Sequence, residues 1–252
     1  AAHSDAPDAA PPLAVPLAAP AAPPDAPAAP LADALALAAP ALPRRPPDDP
    51  ALLPEAVDCD ALAADERDLR DLFGLLVHAH YRTTPADLQR VLDAPNLDLH
   101  VLRRRGRIVA ATLIAREGRL PPDLVDAVAT GARRIRGHAL PDTLIAHAGA
   151  RDAGPLAIAR SVRIAVHPDL RRAGLARRLV DHVHRAYPDI DLFGTLFGAT
   201  ADLLAFRRAL GYRLVRVGVA RGARTGEPAA VMLRPASAAA AALTERLRRD
   251  LA

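Results

Sequence analysis

One short stretch of the chain combines residue types that suit the binding of phosphate. A β-branched run at residues 162–166 is followed by HPDLRRAGLARRLV, in which Gly174 stands among arginines and the spacing of apolar residues becomes helical. The first turn of a helix exposes amide N–H groups without acceptors and the positive end of the helix dipole, so it receives phosphate well. A residue without a side chain lets a bulky diphosphate approach the backbone. We therefore predict a diphosphate site at the turn Arg171–Arg177.

Other nucleotide and metal sites are excluded by composition and spacing. A P-loop requires a lysine, and all 33 basic residues of this chain are arginine, so no ATP site is expected. A dinucleotide-binding turn requires three glycines, and only one is present here. The pairs His78/His80 and His182/His184 are two residues apart, which does not place two ligands on one helical face, so no metal site is predicted. We expect His182 and His184 to lie on the surface of their helix.

The charge of the chain is unevenly distributed. Residues 1–50 contribute −4 to the net charge of +4, so the remainder carries +8. Arginine binds phosphate bidentately, which favours a phosphate or RNA partner. The abundance of alanine, arginine, proline and aspartate is also typical of a GC-rich genome, and both interpretations stay open.

Cysteine and methionine usage bear on the cellular setting. The single cysteine, Cys59, excludes an internal disulfide framework and a cysteine-based zinc site, and it fits a reducing, cytoplasmic compartment. No apolar run is long enough to span a membrane, and residues 1–30 lack the basic start of a signal peptide. Because the only methionine is Met232, we expect the chain to be a fragment or a processed piece.

Composition divides the chain into three parts. Residues 1–50 are mostly alanine and proline, and proline at this density opposes both helix and sheet, so we predict a disordered linker. Residues 51–235 have globular patterning and are predicted to form one domain. Residues 236–252 are predicted to hold a C-terminal helix, which could begin a tRNA-binding region.

The pattern within the domain alternates between strands and helices. Pro85 follows a threonine at a helix start, and the pair Arg105-Gly106 interrupts an alternating run, as in a β-hairpin. The predicted helices are 65–81, 83–95, 122–134, 142–161, 175–186, 200–211 and 242–252. The predicted strands are the hairpin within 97–117, then 162–166, 191–198, 212–220 and 229–235.

Three stretches of the sequence together resemble a known family. The turn RRAGLA fits [Q/R]-x-x-G-x-[G/A], the pyrophosphate-binding turn of GNAT acetyltransferases. This turn lies in the stretch RIAVHPDLRRAGLARRLV. The other two stretches are AHYRTTPADLQRVLDAPNLDLHVL and DLFGTLFGATADLLAFRRALGYRLVRVG. Together they make roughly residues 51–252 similar to the acetyltransferase module of bacterial tRNA(Met) cytidine acetyltransferases. The resemblance implies an α/β (α+β) fold, with a mixed twisted sheet flanked by helices.

The family's activity supplies expectations for this chain. The family acetylates the exocyclic amine of the wobble cytidine of elongator tRNA(Met) with acetyl-CoA, and an attached helicase-like ATPase module supplies energy. The resemblance therefore implies tRNA as a partner, and an ATPase module elsewhere in the full-length protein or acting in trans. Asp202 stands where the family commonly has a glutamate, and Ala209 stands where it has an arginine, although Arg207 and Arg208 are close by. The acetyl-CoA contacts implied are Ile164, Ala165, Val166, Arg171, Arg172, Ala173, Gly174, Leu175, Ala176, Arg177 and Asp202.

Acyl transfer to an amine also requires a route for protons. In this fold the strand amides near Val166 would polarise the thioester carbonyl. The candidates for proton transfer are His80 and Tyr81 in the family-specific stretch, His167 after the strand, and Tyr212. Structural alternatives stay open: a turn role for His167, core packing for Tyr212, and RNA contact or local packing for His80.

Arginines in a loop provide candidate RNA contacts. Arg133, Arg134 and Arg136 would bind phosphates of tRNA, with strong salt dependence, or would form a solvated face. Two further functions stay open beside tRNA acetylation. One is a small-molecule or protein N-acetyltransferase, and the other is a non-catalytic remnant that binds acetyl-CoA or RNA.

Overall fold

A computed structural model describes residues 52–79, 84–221 and 226–251, so the predicted linker at 1–50 lies outside the described residues. Its centre is a seven-stranded sheet with the order β1-β2-β3-β4-β5-β7-β6. The strands are β1 (Pro54–Val57), β2 (Leu97–Arg104), β3 (Arg107–Gly118), β4 (Ala157–Val166), β5 (Leu192–Gly198), β6 (Arg213–Arg221) and β7 (Pro228–Pro235). The helices are α1 (Cys59–Ala64), α2 (Glu66–Ala79), α3 (Pro85–Asp93), α4 (Pro122–Ala129), α5 (Ala139–Ala148), α6 (Leu175–Ala186), α7 (Ala201–Ala209) and α8 (Ala238–Leu251).

Local capping signals set the start of the N-terminal helices. Asp65 accepts hydrogen bonds from two amides in the first turn of α2. Thr84 and Asp87 form a reciprocal capping box at α3, with Pro85 in its first turn. The β2–β3 hairpin turns at Arg105-Gly106, both of which have positive φ. Helix α3 and this hairpin were predicted from the sequence and are confirmed.

Both halves of the sheet, β1 to β4 and β5 to β7, are antiparallel, and a short parallel pair, β4 with β5, joins them. β4 pairs with β3 along its length, but a register shift leaves Val162 unpaired between Arg163, which faces Leu113, and Ser161, which faces Ile114. β4 pairs with β5 in parallel through four residues only, ending at Ser161 opposite Thr195. A bulge bends its strand. Beyond Ser161 the two strands therefore part, and we call this gap the fork.

Three predicted helices have different bounds in the structure. The helix predicted over 122–134 ends at Ala129. The helix predicted over 142–161 ends at Ala148, because Gly149 adopts a left-handed conformation (φ 63°), and residues 157–161 belong to β4. Their alanine-rich sequence favours a helix, but burial between β3 and β5 overrides that local preference. The C-terminal helix also begins earlier than predicted, at Ala238, where Ser237 accepts a hydrogen bond from the amide of Ala240.

Helices cover both faces of the sheet. Side chains of α1, α2 and α3 pack over β2 and β3, and those of α5 and α8 pack over β5 and β7 on the same face. Helices α6 and α7 cover the opposite face, where the fork opens. In the ranges that the structure describes, no helix is long and apolar enough to cross a membrane.

Candidate active site

A cavity of about 320 Å³ lies between the start of α6, the end of β4 and the last turn of α7. Seven of the predicted acetyl-CoA contacts meet there, and the opposite wall is formed by Phe206 and Ala209 of α7 and by Leu210, which follows this helix. The predicted contacts in the cavity wall are Val166, Arg171, Arg172, Gly174, Leu175, Ala176 and Arg177.

The amino end of α6 is open toward this cavity. Gly174 is the N-cap residue with φ 77°, and α6 has neither a capping side chain nor an acidic residue in its first turn. By contrast, Asp58, Thr84 and Thr200 cap α1, α3 and α7 with side-chain oxygens. The first amides of a helix have no acceptor within it, so those of α6 are available to a ligand. This end of the cavity therefore attracts an anion.

Arginines reinforce the positive potential at this end. Arg171 donates from Nη2 to the backbone oxygen of His78 at 3.3 Å, which ties the turn to the end of α2. Arg172 is exposed and has φ 64°, and Arg177 is exposed with Asp181 at 3.7 Å. The guanidinium groups of Arg172 and Arg177 can therefore turn toward a bound phosphate with little structural cost.

The free edge of β4 supplies amides along the fork. The amide of His167 donates to Val109 on β3, and hydrogen-bonding direction alternates along a strand. The amides of Ile164 and Val166 therefore face away from β3, toward the gap that β5 leaves open. Ala165 is buried beneath α2, so its side chain supports the strand without reaching the fork.

Two residues that the resemblance implied as acetyl-CoA contacts, Asp202 and Ala173, do not line the cavity. Asp202 is exposed in the first turn of α7 and does not line the cavity. Ala173 packs against Leu170 and Leu175 beneath the turn. Ala209, which replaces the family's arginine, does line the cavity, and its small side chain adds space and no charge.

His167 is buried within the turn that follows β4. Its Nδ1 accepts a hydrogen bond from the amide of Asp169 at 3.3 Å, so the ring caps the turn Pro168–Leu170. Burial lowers the pKa of His167, and its Nε2 has no hydrogen-bond partner among the described residues. His80 and Tyr81, the other predicted proton-transfer residues, lie outside the described residues.

Arg207 occupies the core between α6, α7 and the sheet. It is 6 % exposed, and its Nη2 donates to Ser161 Oγ at 2.9 Å, beside the last residue pair before the fork. Its guanidinium carbon lies 5.6 Å from the ring centre of Phe206 and 5.4 Å from that of Tyr212. The sequence placed an arginine near the missing family contact, but it gave no signal that this side chain would be buried.

The prediction that His182 and His184 are surface residues was wrong. The ring of His184 packs 4.7 Å from that of Phe193, and its Nε2 lies 3.1 Å from Tyr212 Oη. Burial, together with nearby arginines, lowers the pKa of His184 to about 4. Tyr212 is itself buried, which agrees with the core-packing alternative.

A second polar cluster lies under the other end of α6. Tyr187 donates to Asp98 at 2.8 Å and lies 2.8 Å from His100 Nε2, while the ring of His182 lies 5.2 Å from that of His100. Burial lowers the pKa of His100 to about 4, so its ring is neutral near pH 7. Sequence reasoning missed this cluster because its members are distant along the chain.

The arginine loop after α4 is not uniform. Arg133, Arg134 and Arg136 are all exposed, but Arg134 Nη2 lies 2.8 Å from the buried carboxylate of Asp142. Asp142 also accepts from the amide of Ile135 at 3.2 Å. Arg134 therefore has a structural partner, whereas the side chains of Arg133 and Arg136 extend into solvent.

Comparison with curated proteins gives matches over most of the chain. Residues 71–189 match the model of the family GNAT acetyltransferase 2. The chain is 44% identical over 196 residues to a tRNA(Met) cytidine acetyltransferase TmcA of Nitrosococcus halophilus, a match that covers 77% of this chain and 26% of that protein. The protein of the same name from Haloferax volcanii is 45% identical over 192 residues, covering 76% and 25%. The chain thus spans about a quarter of the length of these relatives.

Solved structures with the same architecture are more distant in sequence. An agmatine N-acetyltransferase in its apo form has a TM-score of 0.53 and 18% identity, covering 73% of this chain and 100% of that one. A polyamine N-acetyltransferase of Drosophila melanogaster has a TM-score of 0.50 and 15% identity, with the same coverage. The mixed sheet flanked by helices that the sequence predicted is confirmed.

The burial of His184 predicts how stability depends on pH. Its pKa is near 6.5 when unfolded and about 4 when folded, so its contribution is complete above pH 6.5 and is lost as the pH falls toward 4. His184→Gln keeps an acceptor for Tyr212 but cannot titrate. We expect the variant to lose about 3 kcal/mol less unfolding free energy than the wild type between pH 7 and pH 4. Urea denaturation across this range measures the difference.

The exposed residue His147 provides the control for this measurement. His147→Gln should follow the wild-type curve. Parallel curves for His184→Gln and the wild type would contradict the burial of this ring.

Proposed function

This chain belongs to the GNAT acetyltransferases, and from that premise we propose that it transfers an acetyl group from acetyl-CoA to the exocyclic amine of a tRNA cytidine. The observation that carries the proposal is the cavity between the open amino end of α6 and Val166, the last residue of the free edge of β4. One end of that cavity suits a diphosphate, and the other end presents strand amides. Acetyl-CoA has its diphosphate and its thioester at opposite ends of an extended arm.

The residues of the cavity have distinct roles in this proposal. The amides of Leu175, Ala176 and Arg177 bind the diphosphate, and Gly174 lets it approach the backbone. The free amides of Ile164 and Val166 bind the pantetheine arm, as a neighbouring strand would, and polarise the thioester carbonyl. Asp202 lies outside this path and contributes at most through longer-range contacts.

The chemistry is a direct acyl transfer. The cytidine amine attacks the carbonyl carbon, a C–N bond forms, and the electron pair of the C=O bond moves to the oxygen. When the carbonyl re-forms, the C–S bond breaks and CoA leaves as a thiolate. The proton that the nitrogen loses ends on the CoA sulfur, through water or through a side chain such as His80, Tyr81 or His167. The products are N-acetylcytidine and CoA.

The choice of tRNA rests on the relatives and on surface charge. Both relatives described above are named as tRNA(Met) cytidine acetyltransferases, and the exposed Arg133 and Arg136 would contact phosphates. We extend the proposal to the wobble cytidine of elongator tRNA(Met), with an ATPase module in the full-length protein or in trans. In this proposal residues 51–235 are the catalytic domain, 1–50 are a linker, and the helix at 236–252 adjoins a tRNA-binding region.

Mass spectrometry of nucleosides tests the reaction. We expect N4-acetylcytidine in elongator tRNA(Met) after incubation with the full chain and acetyl-CoA, together with a separate ATPase module if none is present. A matched tRNA(Met) with uridine at the wobble position should gain no acetyl group. Acetylation of polyamines or peptides without any acetylcytidine would favour the alternative of a small-molecule or protein acetyltransferase. Binding of acetyl-CoA without turnover would favour a non-catalytic remnant.

Gly174→Asp tests the diphosphate site directly. The substitution places a negative charge where the diphosphate binds, and one such contact costs about 1–4 kcal/mol in a partly exposed site. Acetyl-CoA affinity, measured by calorimetry, should fall at least about tenfold. The melting temperature should fall by a few degrees, because Gly174 has φ 77° and aspartate is strained in that conformation.

Gly131→Asp is the matched control. Gly131 also has φ 77° and would place a new side chain in open space, outside the cavity. This variant should bind acetyl-CoA like the wild type. Equal affinities in the wild type and a folded Gly174→Asp variant would overturn the assignment of the diphosphate site.

The arginine loop provides a test of RNA binding. The double variant Arg133→Gln/Arg136→Gln should weaken tRNA binding and reduce the salt dependence of log Kd by about two units of slope, because two phosphate contacts are lost. Acetyl-CoA affinity should not change. A control, Arg70→Gln/Arg90→Gln, removes the same charge from exposed, ion-paired positions on helices. If both double variants bind tRNA equally well across the salt series, Arg133 and Arg136 are only solvated.

A further inference from the structure

Arg207 is a buried cation whose charge no carboxylate balances among the described residues. Ser161 Oγ accepts from Nη2, the ring faces of Phe206 and Tyr212 lie on its sides, and Nη1 is buried with no hydrogen-bond partner. No acidic side chain is found within salt-bridge distance of it in this part of the chain, and the nearby His184 is neutral. A buried charge costs several kcal/mol unless it is paired, so this arrangement calls for an external partner.

The space beside the guanidinium cannot hold a resident anion. A cavity of about 10 Å³ lies there, lined by Thr112, Ser161, Phe193 and Tyr212 among others. A space of that size accommodates one water molecule and nothing larger. The opening nearest to Arg207 along the sheet is the fork, because Ser161, whose Oγ accepts from its guanidinium, is the last residue of β4 that pairs with β5.

The position of Arg207 along β4 matches the far end of the proposed ligand. Val166 lines the cavity at the open end of α6, and Ser161 is five residues earlier on the same strand, about 17 Å away at the usual rise of a strand. Phe206, the neighbour of Arg207, forms part of the same cavity wall. A ligand anchored by its diphosphate at Gly174 and extended along the free edge of β4 brings its thioester toward Ser161 and Arg207.

We propose that the Arg207 guanidinium, through its free Nη1, stabilises the negative charge that forms at the thioester of acetyl-CoA during acyl transfer. This inference rests on the proposed function, because it requires acetyl-CoA in the cavity. The charge appears first on the carbonyl oxygen, when the amine attacks the carbon, and then on sulfur, when the C–S bond breaks. The proton released by the amine later neutralises the thiolate, so Arg207 contributes charge and gains or loses no proton.

The environment of Arg207 suits this role. Tyr212 and His184 extend the polar contacts around Arg207, since Tyr212 Oη lies 3.1 Å from His184 Nε2 and a neutral histidine can accept a hydrogen bond from this hydroxyl. Fixed donors in a site without competing water stabilise developing charge with little reorganisation. The apolar side chains Val180, Val183 and Phe193 surround the group, so its field is weakly screened.

The test measures the acidity of the thiol of bound CoA, which does not depend on the acceptor. The full chain is saturated with CoA, and the absorbance of the thiolate is measured as a function of pH. The same titration of the protein without CoA is subtracted, which removes the absorbance changes of Cys59 and of the tyrosines. We expect the pKa of the bound thiol to lie about one to three units below that of free CoA. Arg207→Met should abolish this lowering, whereas Arg207→Lys should retain part of it.

Arg208→Met is the control, because Arg208 is the exposed neighbour on the same helix. It should leave the thiol pKa unchanged. The melting temperature of Arg207→Met should be equal to or above that of the wild type, since an unpaired buried charge is removed. Acetyl transfer by this variant should fall about 100-fold in kcat, with little change in the KM for acetyl-CoA.

The results of these experiments distinguish a failure of this inference from a failure of the proposed function. A lowered thiol pKa that depends on Arg207 supports the inference even if tRNA is not acetylated. An unshifted pKa in the wild type, or an equal shift in a folded Arg207→Met variant, overturns it while tRNA acetylation can still stand. If Arg207→Met does not fold, Arg207→Lys decides: a shift smaller than that of the wild type supports the inference, and an equal shift overturns it. If CoA does not bind at all, both proposals fail.

Discussion

The separation of β4 from β5 after Ser161 is the constraint on which the rest of the site depends. The bulge at Val162 turns the strand away from its parallel partner, so its last residues keep hydrogen bonds to β3 only. The same strand leads directly into the turn that begins α6, and a free strand edge and an open helix end therefore meet in one cavity. Without the fork, β5 would satisfy the amides of Ile164 and Val166, and a ligand could not use them.

Arginine takes the place of lysine throughout this chain, and it occurs in three distinct settings. Some arginines are exposed around the cavity, as Arg172 is, and others are held by carboxylates, as Arg134 is by Asp142. Arg207 represents the third setting, a buried cation with neutral partners. The guanidinium group suits all three because it is weakly hydrated and keeps its charge when buried. Composition alone therefore indicates positive charge, but only the packing shows where that charge is unbalanced.

The sequence predicted those features whose determinants are local. The turn around Gly174, the threonine cap of α3 and the β2–β3 hairpin are encoded within a few residues, and each is present. The strand at 157–161 was mistaken for a helix because its residue types favour helix and only its neighbours in the sheet make it a strand. The burial of His184 and Arg207 was missed for a related reason, since each depends on helices and strands that are remote along the chain. Local chemistry was thus accessible from the sequence, and the electrostatic balance of the interior was not.

The four residue pairs that join β4 to β5 also divide the sheet into two parts of different connectivity. Strands β5, β7 and β6 are linked to strands β1 to β4 by these four parallel pairs and by the helices that pack across both parts. Parallel pairing is slightly weaker per residue than antiparallel pairing, so we expect the hydrogen bonds between β4 and β5 to open most easily by local unfolding. A molecule bound in the fork contacts both parts of the sheet and therefore stabilises the junction between β4 and β5. Occupancy should therefore slow amide hydrogen exchange on both sides of the sheet together, although the ligand touches only its centre.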